Sequence, residues 1–247
     1  MKADSALYLL GAIASSVGVA AAPAHLSGLA SSSAAGPTVV TNTHWSGAVY
    51  NGQGVTNIEA SFVIPSISGQ SSDDSVAVWV GIDGATSGRC GNTLMQAGLL
   101  LYGDGSIRPW YEWWPGEAIQ FFDESWDVQA GDNIFMQVQA NTTTSGVTYI
   151  TNQRTGNTLT HQFYSNESPS PLCEVSADWV IETISFGNGN FATLPDFGTI
   201  TLTGTSATTS RGTVTADDAA IWDMAGYQNN RVNCKHAGSG SVSCTRV

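Results

Sequence analysis

Residues 133–140 read Asn-Ile-Phe-Met-Gln-Val-Gln-Ala, with Ile134, Met136 and Val138 alternating against Phe135, Gln137 and Gln139. A period of two sends successive side chains to opposite faces of an extended chain, so this stretch predicts a strand with one apolar face. The same grammar recurs on either side. Val147 to Thr151, Val76 to Ile82 ending at Asp83-Gly84, and Leu99 to Tyr102 turning at Gly103-Asp104-Gly105 all read as short strands closed by turn residues. Trp179 to Phe186 and Thr199 to Thr203 complete the clear cases. No long 3.6-residue periodicity and no internal repeat interrupts them. The fold class is therefore all-β, with two packed antiparallel sheets in a β-sandwich or a jelly-roll-like barrel.

Before the first strand the chain has a different character. Met1 and Lys2 lead into a mostly apolar stretch from Ala6 to Ala22 that ends in small residues, which reads as a signal peptide over residues 1–22. It is too short and too rich in Gly and Ser for a membrane span. Residues 23–43 are Ala, Ser, Gly and Pro without period, a short leader or propeptide, and one domain is expected over residues 44–247.

Composition narrows the partners. With 20 Asp and Glu against 8 Lys and Arg the formal charge is -12, which argues against a nucleic-acid partner, since phosphates are neutralised by a basic footprint. Charged residues are only 11% of the chain while 42% is hydrophobic, so the bulk is folded and its polarity comes from Ser, Thr, Asn and Gly. Such a surface suits acid, where few cations are left to repel one another once carboxylates are protonated.

Four cysteines, Cys90, Cys173, Cys234 and Cys244, form an even set in a chain bound for an oxidising compartment and allow three connectivities. Cys234 and Cys244 flank the Gly-rich run Lys-His-Ala-Gly-Ser-Gly, which could close a hairpin; pairing them leaves Cys90 with Cys173. Their spacings fit no compact zinc pattern, and no metal or cofactor is expected. Asn141-Thr-Thr and Asn166-Glu-Ser have the form of glycosylation acceptors.

Several hydrolytic chemistries are absent by motif. There is no G-x-S-x-G, no H-E-x-x-H, no pair of Asp-Thr/Ser-Gly loops and no phosphate-binding glycine loop. His25 lies in the leader, and His44, His161 and His236 stand apart from any metal-like spacing. What remains is a surplus of carboxylates and amides among aromatics. In Trp110-Tyr-Glu-Trp-Trp, alternation puts Trp110, Glu112 and Trp114 on one face and Tyr111 and Trp113 on the other. One face could be a groove wall bearing a carboxylate; the plainer reading is a core strand whose Glu112 has a partner.

Taken in order, Trp45-Ser-Gly, Trp79-Val-Gly-Ile-Asp-Gly, Leu94-Met-Gln-Ala-Gly, Tyr102-Gly-Asp-Gly, Trp110-Tyr-Glu-Trp-Trp-Pro and Ala177-Asp-Trp-Val-Ile-Glu resemble the blocks of the glutamic peptidase (eqolisin) family across the whole domain. The resemblance implies a concanavalin-like or jelly-roll-like sandwich of about seven strands per sheet, polypeptide substrates and a catalytic glutamine–glutamate pair on neighbouring strands. The glutamine falls on Gln96 and the glutamate on Glu182, while Trp79, Asp83 and Glu112 match residues that line or support the cleft. Trp45 and Tyr102, each within a matching block, join the candidate substrate-binding and supporting set. The family also favours the disulfide pairing given above. Leu100 and Arg108 stand where some relatives carry acidic residues, and Asp178 replaces a commoner glutamate, so subsite preference is expected to differ.

The expected activity is that of a secreted, pepstatin-insensitive acid endopeptidase acting as a monomer, with no membrane partner once the signal is removed. Glu182, with a reference pKa of about 4.3, would act as base on a water oriented by Gln96, then as acid toward the departing amine. Asp83 is better suited to orienting a neighbour than to acting as a second base. Two rivals are a β-sandwich glycoside hydrolase using Glu112 and Glu182 and a non-catalytic secreted carbohydrate- or peptide-binding sandwich.

Overall fold

The computed structural model describes residues 39–123, 126–185, 190–226 and 229–247. The expected signal peptide and most of the leader lie outside the described residues. The first strands are β1 (Val39–Asn42), β2 (Trp45–Asn51), β3 (Asn57–Val63), β4 (Ser75–Asp83), β5 (Leu94–Tyr102) and β6 (Ile107–Trp114). They are followed by β7 (Ile119–Gln120), β8 (Asn133–Thr142), β9 (Ser145–Asn152), β10 (Thr158–Phe163) and β11 (Ser176–Glu182). The last are β12 (Thr199–Thr209), β13 (Gly212–Val214), β14 (Ala220–Ala225), β15 (Arg231–His236) and β16 (Val242–Arg246).

Hydrogen bonds run in one path, β10-β9-β8-β3-β12-β16-β15-β14-β2-β11-β4-β5-β6-β7, with β13 beside β12 and β1 beside β14. Every pairing is antiparallel except that of β1, which lies parallel to β14 and so folds the end of the expected leader onto the domain. Strand β12 is the joint. Its first residues, Thr199 to Leu202, pair with β16, and from Thr203 on it pairs with β3 instead, with a register shift between Thr203 and Ser206. Gly204, with φ of 58°, sits in that shift. This Thr- and Gly-rich break explains why the sequence signal stopped at Thr203 although the strand continues to Thr209.

The sheet thereby turns over, and its two arms meet across an apolar core. Ile134, Met136 and Val138 of β8 and Ile58, Ala60 and Phe62 of β3 face Val76, Val78, Val80 and Ile82 of β4 and Met95, Ala97, Leu99 and Leu101 of β5. On β8 and β3 the intervening residues are at least partly exposed, which is the alternation read from sequence. Strand β4 differs: all nine residues are buried. Its second face is covered by a separate apolar cluster of Trp45, Ala77, Trp79, Leu94, Leu100, Trp110, Val180, Ile184 and Ala192.

Two further expected boundaries moved. Strand β5 starts at Leu94, five residues before the predicted Leu99, because Gln96 and Gly98 dilute the strand signal. The glycine is required: a Cβ on Gly98 would lie 2.1 Å from the Val78 carbonyl oxygen and 2.6 Å from Trp79 Cβ. Strand β11 ends at Glu182 instead of running towards Phe186, and Phe186 lies outside the described residues. Beyond Glu182 the chain is clasped, with Thr183 Oγ1 donating to the Ala192 carbonyl. The buried Asn230 amide donates to both Thr183 Oγ1 and Ala192 O and accepts from Leu194 N–H.

Disulfides join Cys90 to Cys173 and Cys234 to Cys244, as the Gly-rich turn suggested. Asn141 and Asn166 are both exposed.

Candidate active site

Strands β2, β11, β4, β5 and β6 lie side by side, and their outer face carries the candidate residues. Gln96 is level with Glu112 on β6 and with Gly81 on β4. Glu182 is level with Trp45 on β2 and Ala77 on β4. Alternation from Gln96 through Gly98 to Leu100, and from Trp110 through Glu112 to Trp114, puts these side chains on the face of the second apolar cluster, while Tyr111 and Trp113 join the main core as expected.

The glutamine and the glutamate are not on neighbouring strands. They stand on β5 and β11, separated by β4, so the expectation of adjacent strands is corrected. Trp79 occupies the intervening strand, level with Gly98 on one side and Val180 on the other. Its indole Nε1 donates to Glu182 Oε2 at 2.8 Å. On the other side Gln96 Nε2 donates to Glu112 Oε2. The site is thus two hydrogen-bonded pairs, Trp79–Glu182 and Gln96–Glu112, with no direct hydrogen bond from Gln96 to Glu182 among the described residues.

Its electrostatics are unusual. Glu182 is 5% exposed, Glu112 1% and Gln96 2%. Burial pushes Glu182 up to about 7, against the lowering influence of the Trp45 and Trp79 indoles. The reference value of about 4.3 taken from the sequence is therefore corrected, because the strand places the carboxyl under tryptophans. Burial also raises Glu112 well above the usual carboxylate range; the Gln96 hydrogen bond opposes this and the charge of Glu182 adds to it. Two polar atoms of this face, Gln96 Oε1 and Glu112 Oε1, are buried with no hydrogen-bond partner. Buried polar atoms are normally satisfied, so such orphans mark a place built to receive something.

Asp83 does a different job. Its Oδ2 accepts from Cys173 N–H and Glu174 N–H and its Oδ1 accepts from Val175 N–H, at 2.6, 2.9 and 2.8 Å. It anchors the loop that enters β11, beside the Cys90–Cys173 bridge, and makes no hydrogen bond to Gln96 or Glu182. Tyr102 is half-buried at the end of β5, with the Arg108 guanidinium 5.0 Å from its ring centroid. Leu100 is buried within the apolar cluster of the cleft face. Asp178 is buried near Asp83; burial first, and then Asp83's charge, raise its pKa well above the ordinary range. Sequence reasoning missed Asn230 and His44. The His44 ring stacks on Phe191 at 5.7 Å, and burial lowers its pKa to about 4. Neither stood out in the sequence, since Asn230 lies in the polar run Gln228-Asn-Asn-Arg and His44 follows Thr41-Asn-Thr.

An all-β domain with an amide and two buried carboxyls on one tryptophan-covered sheet face has the makings of an acid hydrolase that works without a histidine or serine nucleophile. Comparison with known proteins makes this specific: residues 43–246 match the peptidase A4 family, and the chain belongs to it. It is 34% identical over 229 residues to aspergillopepsin-2 of Aspergillus niger, covering 83% of this chain and 78% of that protein. Against scytalidopepsin B of Scytalidium lignicola it is 34% identical over 211 residues, with the same coverage of each. Among solved structures, scytalido-glutamic peptidase with a peptide-based transition-state analogue superposes with a TM-score of 0.73 at 33% identity, over 83% of this chain and 98% of that one. The chain is accordingly an enzyme, a glutamic-type acid endopeptidase, and its substrates are polypeptides. The glycosidase and binding-module readings give way to this family membership.

Proposed function

We propose that this is a secreted acid endopeptidase in which Glu182 serves as general base and then general acid, and Gln96 orients the attacking water and binds the developing oxyanion. The observation that supports it best is the Gln96 amide. One N–H is committed to Glu112, while Oε1 is buried and unpartnered on the face that holds Glu182. A glutamine has two donors and one acceptor, so the second N–H and Oε1 are left for reacting atoms.

In this mechanism Glu182 takes a proton from water as the water oxygen bonds to the scissile carbonyl carbon. The carbonyl oxygen gains the negative charge and is met by the Gln96 N–H. Collapse of the tetrahedral centre breaks the C–N bond, and Glu182 returns the proton to the amine. Glu182 and Glu112 titrate as an interacting pair, and the reactive form carries one negative charge, with Glu182 ionised and Glu112 protonated. Trp45, Trp79 and Tyr102 line the cleft, and Asp83 supports it through the loop at Cys173.

The same proposal takes residues 1–22 as a signal peptide, 23–43 as leader and 44–247 as the catalytic domain. It takes the two arms of the fold as the two layers of a sandwich of about seven strands each, and the enzyme as a monomer. Two disulfides suit an oxidising compartment, and among the described residues no helix is long and apolar enough to cross a membrane. The test is cleavage of a denatured protein between pH 2 and 7 with pepstatin present, by wild type, Glu182→Gln and Gln96→Ala. Acid cleavage that resists pepstatin and fails in both variants is the expected result. A folded wild type that cuts nothing, or variants that cut as well as wild type, would overturn it.

A further inference from the structure

The hydrogen-bonded path of strands has two free ends, β10 and β7, and the turn of the sheet brings them to the same side of the molecule. The Tyr111 and His161 rings stack there at 3.9 Å, one from β6 and one from β10. Strand β7 is too short to cover the whole of β6. It pairs only with Trp110 and Tyr111, and Phe121 N–H adds one bond to the Pro109 carbonyl. Backbone groups of alternate residues point to the same edge of a strand, so the N–H and C=O of Ile107 face outward beside that carbonyl, and among the described residues nothing pairs with them. Next to this bare edge a cavity of about 750 Å³ opens between β6 and β10.

Its chemistry suits an extended peptide. Ile107, Phe121 and Val128 form apolar walls that pack on the main core but are only partly buried, and Leu159 is buried beside them. Phe122 also lines the cavity and is 91% exposed. The main core holds three tryptophans. Trp113 donates its indole N–H to the Ser170 carbonyl and Trp179 to the Glu59 carbonyl, whereas Trp126, which lines the cavity and is 7% exposed, has a buried N–H with no acceptor. A buried donor is normally satisfied, and the backbone carbonyl of an occupant would satisfy this one. The lining has one cation, Arg108, and one acid, Asp123, so net charge favours neither an anion nor a cation. The cavity is also continuous with the cleft: Arg108 alternates with Trp110 and Glu112 on the cleft face, while Ile107 turns to the core. Along β6 the stretch from Ile107 to Glu112 spans roughly 17 Å.

Resting on the peptidase reading above, we infer that this cavity is an exosite, outside the cleft, that holds a distant extended segment of the same polypeptide substrate. The segment pairs with the free N–H and C=O of Ile107 as an added strand. It sets an apolar side chain against Phe121, Phe122, Val128 and Leu159, and one of its carbonyls accepts from Trp126 Nε1.

The test compares an octapeptide with 24-residue peptides that carry the same octapeptide at their centre, their flanks either leucine-bearing or of Gly and Ser alone. Four residues on either side of the scissile bond reach only about 14 Å, short of Ile107, while twelve reach about 40 Å. Wild type should cut the leucine-bearing long peptide with a KM about threefold to tenfold below that of the octapeptide and an unchanged kcat, because the added contacts hold substrate and transition state alike. Trp126→Phe keeps an aromatic ring and deletes the donor, and Ile107→Pro deletes the edge N–H at a position where no ladder bond is lost. Each should raise KM for the long peptide toward that of the octapeptide and leave the octapeptide kinetics unchanged, with folding checked by thermal melts. Should either fold poorly, Phe122→Ser, at an exposed position, carries the comparison. The exosite is overturned, with the peptidase left intact, by no gain with length, by an equal gain from Gly and Ser flanks, or by a gain that survives all three substitutions in folded protein. A dimer in solution that Phe122→Ser turns into monomer overturns it too, since the edge then belongs to a second copy. Failure of wild type to cut even the octapeptide overturns both.

Discussion

Two of the places where the molecule buries carboxyl groups treat them in opposite ways. At the start of β8, Asp132 is 3% exposed, and its oxygens accept from Arg154 Nε and Nη2, from Asn152 Nδ2 and from Gln129 N–H. Arg154 above all holds its pKa below the ordinary value. On the outer face of β5, β6 and β11, Glu112 and Glu182 are as deeply buried, yet no cation pairs with either among the described residues, and burial pushes both up. Asp132 is a structural acid, ionised and saturated with donors. The pair in the cleft is held nearer neutrality with acceptor atoms to spare, the condition a site needs if it is to exchange protons with a substrate.

The comparison breaks most visibly at Glu182. Glu182→Gln keeps the shape and the bond distance to Trp79 but removes the transferable proton, so kcat should fall by roughly 100- to 10000-fold, measured on a peptide at saturating concentration. Gln96→Ala should cost roughly 100- to 1000-fold, the effect of losing one oxyanion donor. Its pH profile should also move, because Glu112 loses the hydrogen bond that opposes its raised pKa.

How much of this was legible beforehand differs between the same two regions. Around Asp132 strand β8 alternates cleanly because one face meets solvent, and the boundaries of β8 and β9 could be read to within two residues, whereas β3 alternates as well but was not singled out. On β4, β5 and β11 both faces are buried, so alternation vanishes where the site is built: Gln96, Gly98 and Glu182 read as weak strand residues and were placed by resemblance. The order of strands was illegible, since Gln96 and Glu182 come together through the pairing of β11 with β4, between residues about 100 apart, with Trp79 on the strand between. The raised pKa of Glu182 was illegible for the same reason, as burial is set by which tryptophans cover it.

Next in size is the dependence of wild-type stability on pH. A carboxyl whose folded pKa is raised binds its proton more tightly when folded, so its stabilising contribution is full below the unfolded value near 4.5 and is lost as pH rises through the folded value. For Glu182, with a folded value of about 7, the loss spans that interval and is on the order of 3 kcal/mol. Glu112, Asp178 and Asp83 have raised values as well and act in the same direction. His44 opposes them: buried neutral, with its pKa lowered from 6.5 to about 4, it favours unfolding as pH falls through that window. Asp132, with a lowered value, loses its contribution below about pH 3.8. Thermal melts from pH 2 to 8 should peak near pH 4 and decline toward neutrality; a maximum at pH 7 would contradict the assignment of neutral buried carboxyls. Asp132→Asn should lower the melting temperature by a few degrees and flatten only the acid limb, since it removes one satisfied carboxylate.

The finest test lies between the two regimes, at Trp79. Its Nε1–H bond makes Glu182 partly resemble Asp132, a buried carboxylate with a donor, and opposes the effect of burial. Trp79→Phe keeps an aromatic floor but deletes that donor, so the ionised form of Glu182 loses a charge-assisted hydrogen bond. The carboxyl then shifts further upward by about one unit, the size of one such bond expressed as a pKa. In kcat/KM against pH, the limb that reports Glu182 should move toward higher pH by that amount, with kcat at the new optimum reduced by less than about tenfold. Trp79→Ala would open a cavity in the cluster with Trp45 and confound the reading through lost packing, which is why the phenylalanine variant is the informative one. A limb that stays in place would mean that Glu182 is tuned by burial alone and that the indole serves only to fill space.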